Sequence, residues 1–353
     1  MAHVGVSALT RRFVAPGRSE FIGIVVIGTL LLGGGVAAGL SLARDVFSAT
    51  AFVTQYLRAV ENRDVVTAIS MPGVLPIGVD RDEFLTRPEN VLLTSAAMKP
   101  GDDLRVIREE DRNGVRHVFA LDSANPSQTM EFAVVQTGRN AGMFPQWRFV
   151  SSPLGTLDVE TIHATFFSVN GFGPIDLASV TPTVSPNDFS AHGSFSVFAP
   201  GLYVVETSSS ALSSKPVSLS LAQPGSIVHA TVTAEPTTAF LTRVQREVDQ
   251  FFDDCVSQRV LFPAGCPFGI SVENRISGAP QWGILNRPQV SLRPTASGWE
   301  IVPGVWTLTF DADIQSLFDG SISPAHEEIP LTIGGRVLLT ASGDISVTID
   351  RID

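Results

Sequence analysis

Asp311 and Asp313 stand two apart in Phe310-Asp311-Ala312-Asp313. On an extended strand side chains alternate between faces, so both carboxylates point to one side. That spacing suits paired acid and base work, and it equally suits an exposed acidic face. His326-Glu327-Glu328 offers the ligand types of a divalent metal. Three consecutive residues of an extended chain cannot all face one ion, and no second His lies near, so a charged loop is the better reading. Cys255 and Cys266 are the two cysteines, and the segment between them, VSQRVLFPAG, holds no His or carboxylate. A metal site needs such partners, whereas an oxidising compartment would pair the two thiols, a loop of this size gaining roughly 3 kcal/mol. The chain has no GxSxG elbow, P-loop, dinucleotide fingerprint or HExxH, so acyl, phosphoryl and hydride transfer lack their usual parts and no cofactor is implied. Trp147, Trp282, Trp299 and Trp306 are candidates for lining a peptide or glycan pocket, core packing being their commoner use. Trp282, set among turn residues in Gly278-Ala279-Pro280-Gln281-Trp282-Gly283, is the one expected at the surface.

The elements that must carry these residues follow from composition and periodicity. With 353 residues, 44% apolar and 17% charged, the chain can build two or three cores and is not a disordered tail. Its net charge of −11 argues against a nucleic-acid binder, which would cluster Lys and Arg to neutralise phosphates. Arg outnumbers Lys by 22 to two, a bias that fits GC-rich coding and an actinobacterial source.

Residues 21–43 contain no charge, and 23 residues at 1.5 Å each give roughly 34 Å of helix, enough to cross a bilayer. Arg11, Arg12 and Arg18 precede the span against Glu20 alone, which places the short N-terminus in the cytoplasm and the remainder outside. Removing those three Arg and one Glu leaves 21 basic and 34 acidic residues in 44–353, an exported portion of formal charge −13. The apolar run is longer than the core of a signal peptide and no lipobox cysteine follows it, so a retained signal-anchor is expected, a cleaved leader being the alternative. Gly35 and Gly39 form a small-xxx-small pair through which two such helices can pack as a homodimer.

Beyond the anchor the patterning divides the chain into 44–150, 151–236 and 237–353, after a leader of 1–20. In the first part Val46, Ala49, Val53, Leu57 and Val60 recur at three and four residue steps, predicting one amphipathic helix that runs on from the anchor to about Ala68 and stops at Met71-Pro72-Gly73. Strands are expected at 104–108, 115–121, 130–136 and 146–150, the first two joined by Asn113-Gly114 as a hairpin. The second part reads as a small β-sandwich, with a hairpin of 195–198 and 202–206 about Pro200-Gly201, strands at 216–221 and 226–233, and an exposed loop at 208–215. In the third, Thr237 or Thr238 caps a helix carrying Leu241, Val244, Val248, Phe251 and Cys255, ended by Pro263 and Gly265. Strands follow at 269–275, 289–293, 299–310, 328–339 and 345–349, with Gly334-Gly335 and Ser342-Gly343-Asp344 as turns. The fold class expected is therefore α+β with an all-β module: a transmembrane helix, a helix-plus-antiparallel-sheet domain, a small sandwich and a second helix-plus-antiparallel-sheet domain.

The repeated plan, with FVTQYLRAVENRDVVTAIS early and FLTRVQREVDQFFDDC late, resembles the NTF2-like (cystatin-like) α+β cone fold. The whole layout, including VDQFFDDCVSQRVLFPAGCPF, resembles single-pass envelope proteins of actinobacteria. It is also distantly similar to the TcaA-type membrane proteins of Gram-positive bacteria, which pair an anchor with serial extracellular domains. No Cys precedes Cys255, so the N-terminal zinc ribbon of that family is missing. NTF2-like enzymes place an Asp and a His inside the cone as acid and base, which the resemblance carries onto Asp64 and His117. A carboxylate that orients an imidazole supports proton transfer near neutral pH. The alternative for both is solvated surface, because Asp64 lies in polar Asn62-Arg63-Asp64 and strand alternation can turn His117 outward.

Three functions are thus expected. The first is a non-enzymatic, single-pass, membrane-anchored cell-envelope protein whose extracellular domains bind a partner protein or cell-wall ligand. The second is an NTF2-like hydrolase or isomerase using Asp64 and His117. The third is a scaffold dimerised through Gly35 and Gly39.

Overall fold

A computed structural model describes residues 46–352, apart from 124, 141–143, 181–188, 297 and 340–343. The leader and the segment 21–43, with Gly35 and Gly39, lie outside the described residues, and no described helix is long and apolar enough to cross a membrane.

Helix α1 (Ala49–Glu61) begins at Ser48, whose backbone is extended and whose side chain accepts from the Ala51 amide. It starts at that cap and does not run on from an upstream helix. It stops at Asn62, Arg63 swings to a φ of 55°, and Asp64 caps α2 (Val65–Ser70) by accepting from the Thr67 amide. The single stripe expected through Ala68 is two helices, because a left-handed residue cannot continue an α-helix. After α3 (Arg81–Thr86), four strands form an antiparallel meander in chain order: β1 (Leu104–Arg112), β2 (Val115–Asp122), β3 (Asn125–Asn140) and β4 (Phe144–Phe149). Asn113 and Gly114 both have positive φ, 55° and 83°, and close the β1–β2 hairpin as expected of that pair. Val53, Tyr56, Leu57 and Val60 of α1 share a core with Val118, Ala120, Phe132, Val134 and Phe149 of the sheet.

The middle unit is a sandwich of nine described residue runs: β5 (Leu154–Ile162), β6 (Phe166–Val169), β7 (Phe172–Asp176), the short α4 (Leu177–Val180), β8 (Ser190–Phe198), β9 (Gly201–Glu206), β10 (Leu212–Ser214), β11 (Val217–Leu221) and β12 (Ile227–Pro236). One sheet has the order β10-β12-β5-β8, with β12 parallel to β5, and the other β11-β9-β6-β7. The hairpin expected of β8 and β9 is corrected, since these strands belong to opposite sheets. Their apolar rows, Phe195 and Val197 against Tyr203 and Val205, close one core from two sides. The loop expected at 208–215 is also corrected: Leu212–Ser214 pairs with β12, and Ala211 and Leu212 are buried.

Thr237 caps α5 (Thr238–Val256) by accepting from the Phe240 amide. The described strands are β13 (Arg275–Ile276), β14 (Gln281–Asn286), β15 (Leu292–Thr295), β16 (Gly298–Gln315), β17 (Ile322–Leu339) and β18 (Ile345–Arg351), all paired directly or indirectly through β16 and β17. Phe252 of α5 stacks on Trp306 with ring centroids 4.3 Å apart. Gly334 and Gly335 do not turn the chain; they lie inside β17 and pair with Asp350 and Ile349. Of the second turn signal only Asp344 is described.

The class is corrected accordingly. Among the described residues eighteen strands stand against five α-helices, so the molecule is mostly β and not α+β. Strands of 16 to 18 residues in β3, β16 and β17 supply the excess. Their alternation is broken by bulges and glycines, so only fragments of each were legible as apolar runs.

Shared cores join the three units. Leu92 and Ala97 of the first enter the sandwich core, while Leu154, Phe198 and Ala222 of the sandwich enter the first. Ala164, Ala211, Leu212 and Ala234 of the sandwich join the core under α5.

Candidate functional site

Asp64 and His117 are not brought together. Asp64 is exposed at the start of α2, where the Thr67 hydroxyl and then its amide, both bonding to the carboxylate, hold it below the ordinary carboxylate range. His117 lies on β2 between Arg116 and Val118; Val118 and Ala120 face α1, so His117 and Phe119 project from the opposite face. The His117 Nδ1 meets Glu131 Oε1 at 2.5 Å, and Glu131 sits opposite Phe119 in register. A carboxylate does orient this imidazole, but it is Glu131 on an open sheet face and not Asp64 in a cone.

That outer face carries a cluster the sequence reading missed. The Arg108 guanidinium lies 4.1 Å from the centroid of Phe119 and Arg112 lies 5.8 Å away. Arg108 and Arg112 both pair with Glu110, and Arg112 also reaches Glu131. The two guanidinium groups cover a ring that would otherwise meet water, and the same carboxylates that hold them flank His117. The alternation Arg108, Glu110, Arg112 was the available signal, hidden by the bulge between Val106 and Arg108.

Between the first unit and the sandwich lies a cleft of about 630 Å³, bordered by Glu61, Arg63, Lys99, Asp102, Asp103 and Met130, with Leu202 and Leu221 from the sandwich side. Arg63 and Asp103 are both held at positive φ, 55° and 53°. Glu61 Oε1 accepts from the Leu104 amide at 2.5 Å, and Asp103 Oδ2 accepts from the Ser123 hydroxyl at 2.7 Å. These carboxylates are tied to the rim of the cleft by bonds within the protein. The wall therefore offers charge of both signs beside apolar patches. A similar seam at the far end of the sandwich, about 440 Å³, is lined by His163, Leu241, Leu292 and Trp299.

The other candidates resolve individually. Cys255 and Cys266 form the disulfide, tying the end of α5 to the loop that follows. Asp311 and Asp313 share a face of β16 as expected, and Asp311 Oδ1 meets His326 Nδ1 at 2.6 Å across to β17. His326, Glu327 and Glu328 lie on that strand and not in a loop. Among the described residues no three His, Cys, Asp or Glu are grouped as a metal would need. Trp282, expected at the surface, is 8% exposed: its Nε1 donates to Val260 O, and its ring packs between Phe268 and Phe310. Gln281–Asn286 is a strand that its flanking Gly and Pro disguised as a turn.

No known protein family, no curated protein and no solved structure matches this chain, so the function is read from its own geometry.

Proposed function

We propose that this protein is a non-enzymatic, single-pass, membrane-anchored protein of the cell envelope, held by residues 21–43 with its N-terminus in the cytoplasm, whose extracellular units present a rigid surface to an envelope protein or cell-wall ligand. The observation that carries the reading is the joining of the three units. Tyr56 of α1 donates to Ala199 O and Pro153 O of the sandwich, Gln223 of the sandwich bonds Thr129 O and the Glu131 amide, and Thr237 binds Ala211 O and Ser210 O. Units fused by common cores cannot hinge freely, which suits display at a fixed distance from an anchor better than a catalytic cycle that opens and closes. The Cys255–Cys266 bond fits an oxidising, exported setting. Gly35 and Gly39 offer the anchor a face for pairing with a second copy.

The test is the intact mass of unreduced, membrane-extracted protein, before and after thiol alkylation. The expected result is a chain retaining 21–43 with no alkylated cysteine. A species cut after the apolar run makes the protein secreted, and two alkylated thiols overturn the exported topology.

A further inference from the structure

The longest paired strands among the described residues, β16 and β17, end in a six-residue turn, Ser316 to Ser321, that is densely hydrogen-bonded. Ser316 Oγ accepts from the Phe318 and Asp319 amides, Asp319 Oδ1 accepts from the Ser321 amide and hydroxyl, and Gln315 Nε2 donates to Gly320 O. Asn274 Oδ1 further accepts from the Leu317 amide. This fixed turn points its two large apolar side chains at solvent: Phe318 is 98% exposed and Leu317 72%, with Ile322 beside them at 57%. Turns ordinarily place small or polar residues there.

The surroundings say what fits. Asp319 lies in the turn itself, Asp313 and Asp311 stand two and four residues back from Gln315 on β16, and Glu327 and Glu328 lie farther along β17 opposite Phe310 and Thr309. Glu273 precedes Asn274, which bonds the turn; against these stand Arg275, opposite Gln315, and His326, opposite Asp311. Like charge opposes two such tips meeting head to head, and opposes an anionic bilayer as well. Strand addition is blocked too. Among the described residues nothing pairs with the outer edge of β17 between Ile322 and Leu331, yet that edge carries Pro324 and Pro330 and exposed His326, Glu327 and Glu328, the usual devices that deter a new strand. The edge is protected while the tip is left apolar.

We propose that the β16–β17 tip, Leu317 and Phe318 buttressed by Ile322, is the docking element of this protein, and that it seats in an apolar pocket of a partner protein rimmed by lysine and arginine. This rests on the partner-binding reading above and specifies its site. A preformed aromatic anchor loses little conformational entropy on binding, and the acidic collar steers and registers it against a basic rim.

The experiment places the photoreactive residue benzoylphenylalanine at 318 in the full chain, in the cells that make it, with the same residue at Ile77, 83% exposed on the first unit, as control. The expected result is a discrete adduct with another protein from position 318 and none from 77, falling to roughly a tenth when Asp311→Lys and Asp313→Lys are combined, as loss of complementary charge at an anchor predicts. An adduct indifferent to charge reversal, adducts from both positions, a lipid adduct, a crosslinked dimer of this chain alone, or no adduct each overturns the proposal. Circular dichroism of each variant verifies folding, and benzoylphenylalanine at 317 repeats the test if the 318 variant misfolds. Labelling of Ile77→Cys, outside the proposed docking element, by a membrane-impermeant maleimide on intact cells reads topology separately. A charge-dependent adduct without labelling keeps the docking tip and discards the extracellular placement.

Discussion

The hydroxyl of Tyr56, on the first helix, donates to the carbonyl of Ala199 at 2.8 Å across the junction between the first unit and the sandwich, and the same oxygen lies 3.3 Å from Pro153 O. The Pro153 carbonyl also accepts from the Ala199 amide, so Tyr56→Phe deprives chiefly the Ala199 carbonyl of its partner in an apolar seam. The expected loss is about 1–3 kcal/mol, read as a lower denaturation midpoint with an unchanged slope. A separate early transition of residues 46–150 would show that this bond couples the two units; a midpoint equal to wild type would remove it from the account of the junction.

Tyr56 and Tyr203 are the two tyrosines of the chain, and both are buried. Burial pushes the Tyr56 hydroxyl well above its ordinary range, with the Tyr203 charge adding to it, and burial raises Tyr203 likewise. A folded value above the unfolded one means that stability is fully present below about pH 10 and declines as pH rises past it, because only the unfolded chain ionises there. Tyrosinate absorbance should therefore be missing from the folded protein at about pH 10 and appear together with the loss of circular dichroism. Absorbance rising first, with the fold intact, would contradict the burial of one of the two.

The disulfide closes a short loop, so its contribution is modest and calculable. Replacing both Cys255 and Cys266 by Ser should cost about 3 kcal/mol through the greater freedom of the unfolded chain, measured by denaturation against wild type. The variant should keep its strand content, because α5 is held independently by Phe240, Val244, Val248 and Phe252 in the core.

What could be read from residue order alone was local. Ser48 and Thr237 are capping residues, Asn113-Gly114 is a hairpin pair, and two cysteines beyond an apolar run suggest a bond; each depends on neighbours in the chain. What could not be read depended on distant partners. Arg63 ends α1 by a backbone dihedral that no periodicity reports. Phe195 and Tyr203 belong to facing sheets because a core lies between them, and their alternation is the same as a hairpin's. Trp282 was hidden for a related reason, its burial being supplied by Phe268 and Phe310 and not by its own segment. The catalytic pairing failed at the same level: Asp64 is used as a helix cap, and the carboxylate that meets His117 comes from β3.

Gly335 shows the principle at one residue. Read locally, Gly334-Gly335 is a turn; in the fold, a Cβ on Gly335 would sit 2.2 Å from the Thr348 carbonyl oxygen of β18. Glycine is there for close backbone approach between strands. Gly335→Ala should push β18 away from β17 and destabilise the third unit by more than 1 kcal/mol, against the gain of a few tenths to 1 expected where alanine fits. Hydrogen exchange at the amides of β18 locates the effect, and unchanged protection there would refute the contact.

The pair Asp311 and His326 gives the docking face its own spectroscopic handle. These residues are directly opposed in the β16–β17 register, with Nδ1 and Oδ1 at 2.6 Å, and Glu328 and Glu327 follow on the same strand. The bond to Asp311 and then its charge, with smaller help from Glu328 and Glu327, raise the His326 pKa above the ordinary histidine value. The sign follows directly: the imidazolium favours the folded arrangement, a contribution fully present below the unfolded pKa of about 6.5 and lost as pH rises through the folded value. An NMR titration, assigned with His326→Gln, should show a midpoint above that of a free histidine, and Asp311→Asn should bring it back down. If Asp311→Asn leaves the midpoint where it was, the pair is not formed in solution, and the registration of the acidic collar behind Phe318 loses its support.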